Sequence, residues 1–78
     1  MMRNTIIEIL NSINPNVDFS GETSIVNKGY LDSFDIVRLV SLLSDEFDVE
    51  FTAAELIPEN FNSVDGMIQM IERLKEDS

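Results

Sequence analysis

Ser33 stands between two aspartates in Gly29-Tyr30-Leu31-Asp32-Ser33-Phe34-Asp35, where a long irregular stretch gives way to a helical pattern. A serine hydroxyl attacks well only when a neighbouring base activates it. The chain of 78 residues contains no histidine and no cysteine, which excludes Ser/His and Cys/His nucleophiles, histidine bases and histidine metal sites. Ser33 is therefore better suited to being modified than to attacking on its own. A phosphodiester on it would lie near a helix N-terminus, where free N–H groups and the helix dipole favour an anion. Asp32 and Asp35 oppose such a group by repulsion, and are suited instead to hold a metal ion or the basic groups of a modifying enzyme. Taken alone, Asp-Ser before an apolar run is ordinarily no more than a helix cap.

The remaining polar clusters carry less. Asp45, Glu46, Asp48 and Glu50 lack the glycine and the terminal glutamate of a calcium loop and read as a solvated acidic surface, so no metal site is expected. Met67 and Met70 read as gap-filling or surface methionines. No residue is expected to be catalytic.

The elements that must position Ser33 follow from apolar spacing. A first helix is predicted from about Asn4 to Ile13, with Ile6, Ile9, Leu10 and Ile13 on one face and a Thr5/Glu8 capping box at its head. Asn14-Pro15-Asn16 stops it. Residues 14–32 show neither helical nor strand period, yet contain Val17, Phe19, Ile25, Val26, Tyr30 and Leu31. A stretch of that length is expected to be an ordered loop pinned to the core at several points, with sharp turns at Gly21 and Gly29. A second helix runs from Ser33 to Phe47, capped by Asp32, with Ile36, Leu39, Val40, Leu43 and Phe47 as its stripe. Phe34, Arg38, Leu42 and Asp45 point the other way, and Ser33, Val37 and Ser41 lie on the flank. A short helical turn over Thr52–Ile57 carries another capping box, Thr52/Glu55, and Pro58 is expected to end it. The last helix starts at Ser63 and reaches about Lys75, with Val64, Met67, Ile68, Ile71 and Leu74 facing inward and Gly66 weakening its first turn. Three amphipathic helices and one short helix, each with a single apolar face, predict an all-α fold, a small four-helix bundle. One domain over residues 1–78 is expected.

Composition narrows the function further. Fifteen acidic residues face five basic ones, for a formal charge of −10. That balance repels nucleic acid and anionic membranes and favours partners with a basic patch. Hydrophobic residues make up 44% of the chain, too many for a disordered acidic tail. No apolar run approaches the roughly 20 residues of a membrane helix, so a cytoplasmic monomer without membrane insertion is expected.

Asp32-Ser33-Phe34 resembles the Asp-Ser-Leu motif of the acyl carrier protein family, in which the serine receives phosphopantetheine from coenzyme A. The likeness continues through Asp35-Ile36-Val37-Arg38-Leu39-Val40 and Asp45-Glu46-Phe47-Asp48-Val49-Glu50-Phe51. It extends to Asn62-Ser63-Val64, which is similar to the Thr/Ser-Val start of that family's last helix, and so covers essentially the whole chain. The family is a four-helix bundle with a long first loop and a short third helix. Three positions depart from its fatty-acid type. Phe34 replaces leucine, Arg38 stands where glutamate is usual, and Leu31 precedes Asp32. The Gly-x-Leu-Asp-Ser-Phe form is similar to D-alanyl carrier proteins and to some stand-alone carriers of specialised pathways.

The resemblance implies a covalent phosphopantetheine on Ser33 and a partner surface of Asp32, Phe34, Asp35, Val37 and Arg38. It implies a non-enzymatic carrier of acyl or aminoacyl groups, held as thioesters, for fatty-acid, polyketide or related biosynthesis. The implied partners are a phosphopantetheinyl transferase, an acyl- or aminoacyl-loading ligase and downstream synthase enzymes. A D-alanyl or other aminoacyl carrier is the second reading. An acidic helical interaction module without a prosthetic group, indifferent to loss of Ser33, is the third.

Overall fold

A computed structural model describes residues 2–77; Met1 and Ser78, the ends of the expected 1–78 domain, lie outside them. Helix α1 spans Met2–Ile13, α2 spans Ser33–Phe47, α3 spans Pro58–Phe61 and α4 spans Val64–Asp77, with a single 3-10 turn at Ala53–Glu55 before α3. No strand forms among the described residues. The Cα radius of gyration is 11.3 Å, close to the roughly 11.5 Å of a fully packed chain this long.

Each long helix turns its apolar stripe inward. Ile6 and Leu10 of α1, Leu39 and Leu43 of α2, Phe61 of α3, and Val64, Met67, Met70 and Ile71 of α4 are all buried. Each such side chain withdrawn from water is worth about 1.5–3 kcal/mol. Met67 and Met70 both belong to this core, as flexible chains that fill irregular space. Helix α1 packs on both α2 and α4, and α3 packs on α4. An exposed ion pair, Arg3 to Asp65, joins α1 to α4 at the surface, and Lys75 lies 5.9 Å from the Phe47 ring centroid, joining the ends of α4 and α2. Exposed contacts of this kind add little beside the core.

Two local expectations are corrected. Thr5 and Glu8 do not cap α1: the helix already includes Met2, whose side chain packs against the core, so both residues lie inside it. Pro58 does not end a helix but begins one. Thr52 and Glu55 form their capping box around the 3-10 turn, Ile57 is extended, and Pro58 is the first residue of α3. A proline suits that position, because a helix leaves its first N–H groups unpaired.

The loop 14–32 is ordered by three buried side chains, Phe19, Ile25 and Leu31, and by short-range hydrogen bonds. Lys28 donates its N–H to the Ser24 carbonyl (2.8 Å) and Tyr30 to that of Ile25 (3.0 Å). Gly29 takes φ +78°, which an L side chain adopts only at a cost. The Glu22 carboxylate accepts from the N–H groups of Thr23 and Ser24, both at 3.0 Å, and from Lys28 Nζ at 3.3 Å. Gly66 has a structural reason. A Cβ there would stand 3.2 Å from Ser63 Oγ, which caps α4 by accepting from the Gly66 N–H at 2.9 Å. The glycine keeps the α3–α4 corner tight.

Candidate functional site

Helix α2 begins at Ser33, as its sequence predicts, because Asp32 caps it. Asp32 is extended, and its Oδ1 accepts from the Asp35 N–H at 2.9 Å. Asp35 Oδ2 accepts in return from the Asp32 N–H at 3.2 Å, so the two aspartates form a reciprocal capping box. The sequence shows Asp32 as a cap; the reciprocity is harder to see there, because glutamate or glutamine is the usual residue at the third helical position. Both carboxylates are thereby engaged with the backbone, and they stand on either side of Ser33.

Ser33 is exposed, and its hydroxyl has no hydrogen-bond partner among the described residues. Most other serines are committed. Ser12 donates to the Ile9 carbonyl, Ser20 to Asp18, Ser44 to the Val49 carbonyl, and Ser63 caps α4. In the first turn of α2 the Asp35 and Ile36 N–H groups are taken by Asp32, while those of Ser33 and Phe34 have no partner among the described residues. They leave a place for an anion beside the hydroxyl.

Ser33 also lies on the edge of an open groove of about 290 Å³. Ile36 and Val37 of α2 form one wall, Leu56, Ile57, Pro58 and Phe61 form the other, and Val26 of the loop completes the lining. The groove is apolar except at its Ser33 edge. A covalent phosphopantetheine would fit these residues: an accessible hydroxyl to bear it, two N–H groups open to its phosphate, and an apolar trough beside that hydroxyl.

Of the five expected partner residues, Asp32 is the cap of α2 and the other four fall in its first two turns. Phe34 is 83% exposed and Val37 is 69% exposed, an uncommon display for large apolar side chains on so small a protein. Arg38 and Asp32 are exposed and Asp35 is partly covered. Val37 lines the groove with Ser33, whereas Phe34 and Arg38 are not among its lining residues. The opposite wall escaped the sequence reading. Leu56 and Ile57 are exposed and do not belong to the buried core, and their place beside Ser33 depends on the turn at Pro58. A signal was available: two adjacent large apolar residues before a proline, in a segment that shows no core-facing stripe.

Among the described residues no group of three or more acidic side chains is arranged to hold a metal ion. Asp45, Glu46, Asp48 and Glu50 are exposed, and Asp48 ends α2 in the left-handed conformation (φ 54°). No helix among the described residues is long and apolar enough to cross a membrane.

No curated protein matches the chain significantly. The family model of the phosphopantetheine attachment site matches residues 2–71, from the first described turn of α1 through the Asp-Ser head of α2 and well into α4. The chain therefore belongs to the phosphopantetheine attachment site family, whose members carry that prosthetic group covalently.

Proposed function

We propose that Ser33 is the attachment residue and that the protein serves as an acyl or aminoacyl carrier. The observation that carries this reading is the exposed, unpartnered Ser33 hydroxyl at the capped head of α2, on the edge of an apolar groove. When attached, the prosthetic group supplies a terminal thiol that bears cargo as a thioester and, through its length and flexibility, raises the cargo's effective concentration at successive enzymes.

The chain's own residues present the hydroxyl. Asp32 and Asp35 hold the first turn of α2 by their reciprocal bonds, which fixes Ser33 at the helix head. The free N–H groups of Ser33 and Phe34 face the place of the phosphate and favour its charge. The chain has no histidine or cysteine, and the Asp32 and Asp35 carboxylates are bonded to backbone N–H groups, so on this reading the base that takes the Ser33 proton comes from the transferase. Phe34, Val37 and Arg38 offer a mixed apolar and charged surface next to the attachment point, which suits recognition by that transferase, a loading ligase and downstream synthase enzymes.

Incubation with coenzyme A and a broad-specificity phosphopantetheinyl transferase, followed by intact mass measurement, tests the assignment. The wild-type protein is expected to gain the mass of one phosphopantetheine and the S33A variant to gain none. Addition that persists in S33A, or no addition to a folded wild-type chain, would remove Ser33 from this role. Loading of the modified protein by adenylating ligases offered amino acids or fatty acids then separates aminoacyl from acyl cargo.

A further inference from the structure

The groove beside Ser33 has walls from parts of the chain that are poorly joined to each other. One wall is the head of α2. The other is the segment from the 3-10 turn into α3, which packs on α4 and makes no comparably extensive contact with α2. Thr52, Ala53, Ala54, Leu56, Ile57 and Pro58 are all exposed. That segment bridges the core without inserting into it until Phe61, and a wall of this kind is locally weak.

One residue ties the α3 side to the loop that leads into α2. Asn62 follows α3 directly and reaches the loop that leads into Ser33. Its side-chain Oδ1 accepts from the Val26 N–H at 2.9 Å and from the Asn27 N–H at 3.1 Å. Its carbonyl accepts from the Ile25 N–H at 2.9 Å. Three successive loop amides thus converge on one asparagine, more than 30 positions away in sequence. Val26 itself lines the groove, so the residue that Asn62 holds is part of the space next to the attachment serine.

We propose that Asn62 is a latch that sets the width of the Ser33 groove. Held, it keeps the loop and the α3–α4 corner in register and the groove narrow; released, it lets the α3 wall part from Val26 and α2, and the groove widens. The proposal builds on the reading of Ser33 as the attachment residue only for its functional meaning, because the latch itself is a property of the unmodified chain. Asn62 is a positioning residue here and touches no reacting atom.

Two variants and one wild-type measurement test it. N62A removes both side-chain bonds and leaves the backbone carbonyl to Ile25, whereas N62D keeps an oxygen able to accept from Val26 and Asn27. In the unmodified protein, N62A is expected to speed amide exchange at Val26 and Asn27 by about 10-fold, the effect of losing one net hydrogen bond, without altering amides in the middle of α1 and α4. It is also expected to increase uptake of the neutral apolar dye Nile red, and I57E, which charges the groove wall, is expected to abolish that uptake. N62D should restore both the slow exchange and the low uptake. Faster exchange spread evenly over the whole chain would make Asn62 a merely structural residue and overturn the latch. So would loosened loop amides with unchanged dye uptake, or uptake that survives I57E. Wild-type protein warmed below its unfolding transition gives a reading that needs no variant to fold. There the Val26 and Asn27 amides should open together with dye uptake and before those of α1 and α4; opening only at global unfolding contradicts the proposal. None of these readouts involves loading, so a failure to modify Ser33 would leave them standing.

Discussion

The two aspartates beside Ser33 have a structural duty, and substitution can separate it from the recognition duty proposed for them. The reciprocal bonds between Asp32 and Asp35 cap α2, and replacing a capping side chain by alanine costs about 1 kcal/mol. Asparagine caps as well as aspartate does but carries no charge. D32A is therefore expected to lower stability by about 1 kcal/mol in urea denaturation, while D32N stays close to wild type. If Asp32 also meets basic groups of the transferase, D32N should load markedly more slowly despite its intact stability, and equal loading would confine Asp32 to capping. F34A gives the complementary case: at 83% exposure its loss should change stability by less than about 0.5 kcal/mol, so any slowing of loading reports on the docking surface alone. At this scale Ser33 and its Asp32 cap were legible in the sequence, because an Asp-Ser pair before an apolar stripe marks a helix head and the chain has no histidine to pair with the serine as a nucleophile. The groove was not legible, because Ile57 and Pro58 come opposite Ser33 only through the packing of α3 on α4.

Helix α2 has the boundaries that its apolar stripe and its Asp32 cap predict, since burial and capping specify the same start. Helix α1 starts earlier than its polar residues suggest. The Thr5/Glu8 spacing fits a capping box, but Met2 can reach the core, and burial there outweighs a cap worth about 1 kcal/mol. The loop 14–32 was readable as pinned from its apolar residues, whereas its bonds to Asn62 carry no periodic signal. Glu22 offers a test of how much a local polar knot adds to this loop. Its carboxyl is held below the ordinary glutamate value of 4.5, chiefly by the Ser24 N–H; loss of water contact opposes this next most strongly, and Lys28 and the Thr23 N–H add smaller lowering contributions. A depressed folded-state pKa means stability that is present above the unfolded value and lost as pH falls through the folded one. E22Q should therefore be less stable than wild type near pH 7, and the gap should close on acidification below the ordinary glutamate value. Urea midpoints of both proteins between about pH 7 and about pH 3 measure this difference directly, with the titration of the other carboxylates common to both. A gap that stays constant across that range would show that the charge on Glu22 contributes nothing.

Across the whole molecule the charge of −10 acts on folding and on encounter with opposite sign. Carboxylates cover the chain from Glu8 to Glu76 and few are paired, so their mutual repulsion weakens the folded state. The same field draws in a partner with a basic face and speeds its approach. Salt weakens both effects, because the Debye length falls from about 10 Å at 0.1 M to about 3 Å at 1 M. Raising sodium chloride from about 0.05 M to about 0.5 M should therefore stabilise the isolated protein, seen as a higher melting temperature, while lowering kcat/KM for phosphopantetheine transfer severalfold. The fall belongs in KM rather than kcat, since long-range charge assists encounter more than the chemical step. Arg38 sharpens the test. It is the lone basic residue within α2 and lies one turn after Phe34, so R38E replaces a positive by a negative charge on the proposed docking face. If partners meet this face with basic groups, R38E should load faster than wild type at low salt, and the difference should vanish at high salt. Slower loading of R38E at low salt would mean that the transferase meets this point of α2 with an acidic group, and the carrier's overall acidity would then steer encounter without matching the contact made at Arg38.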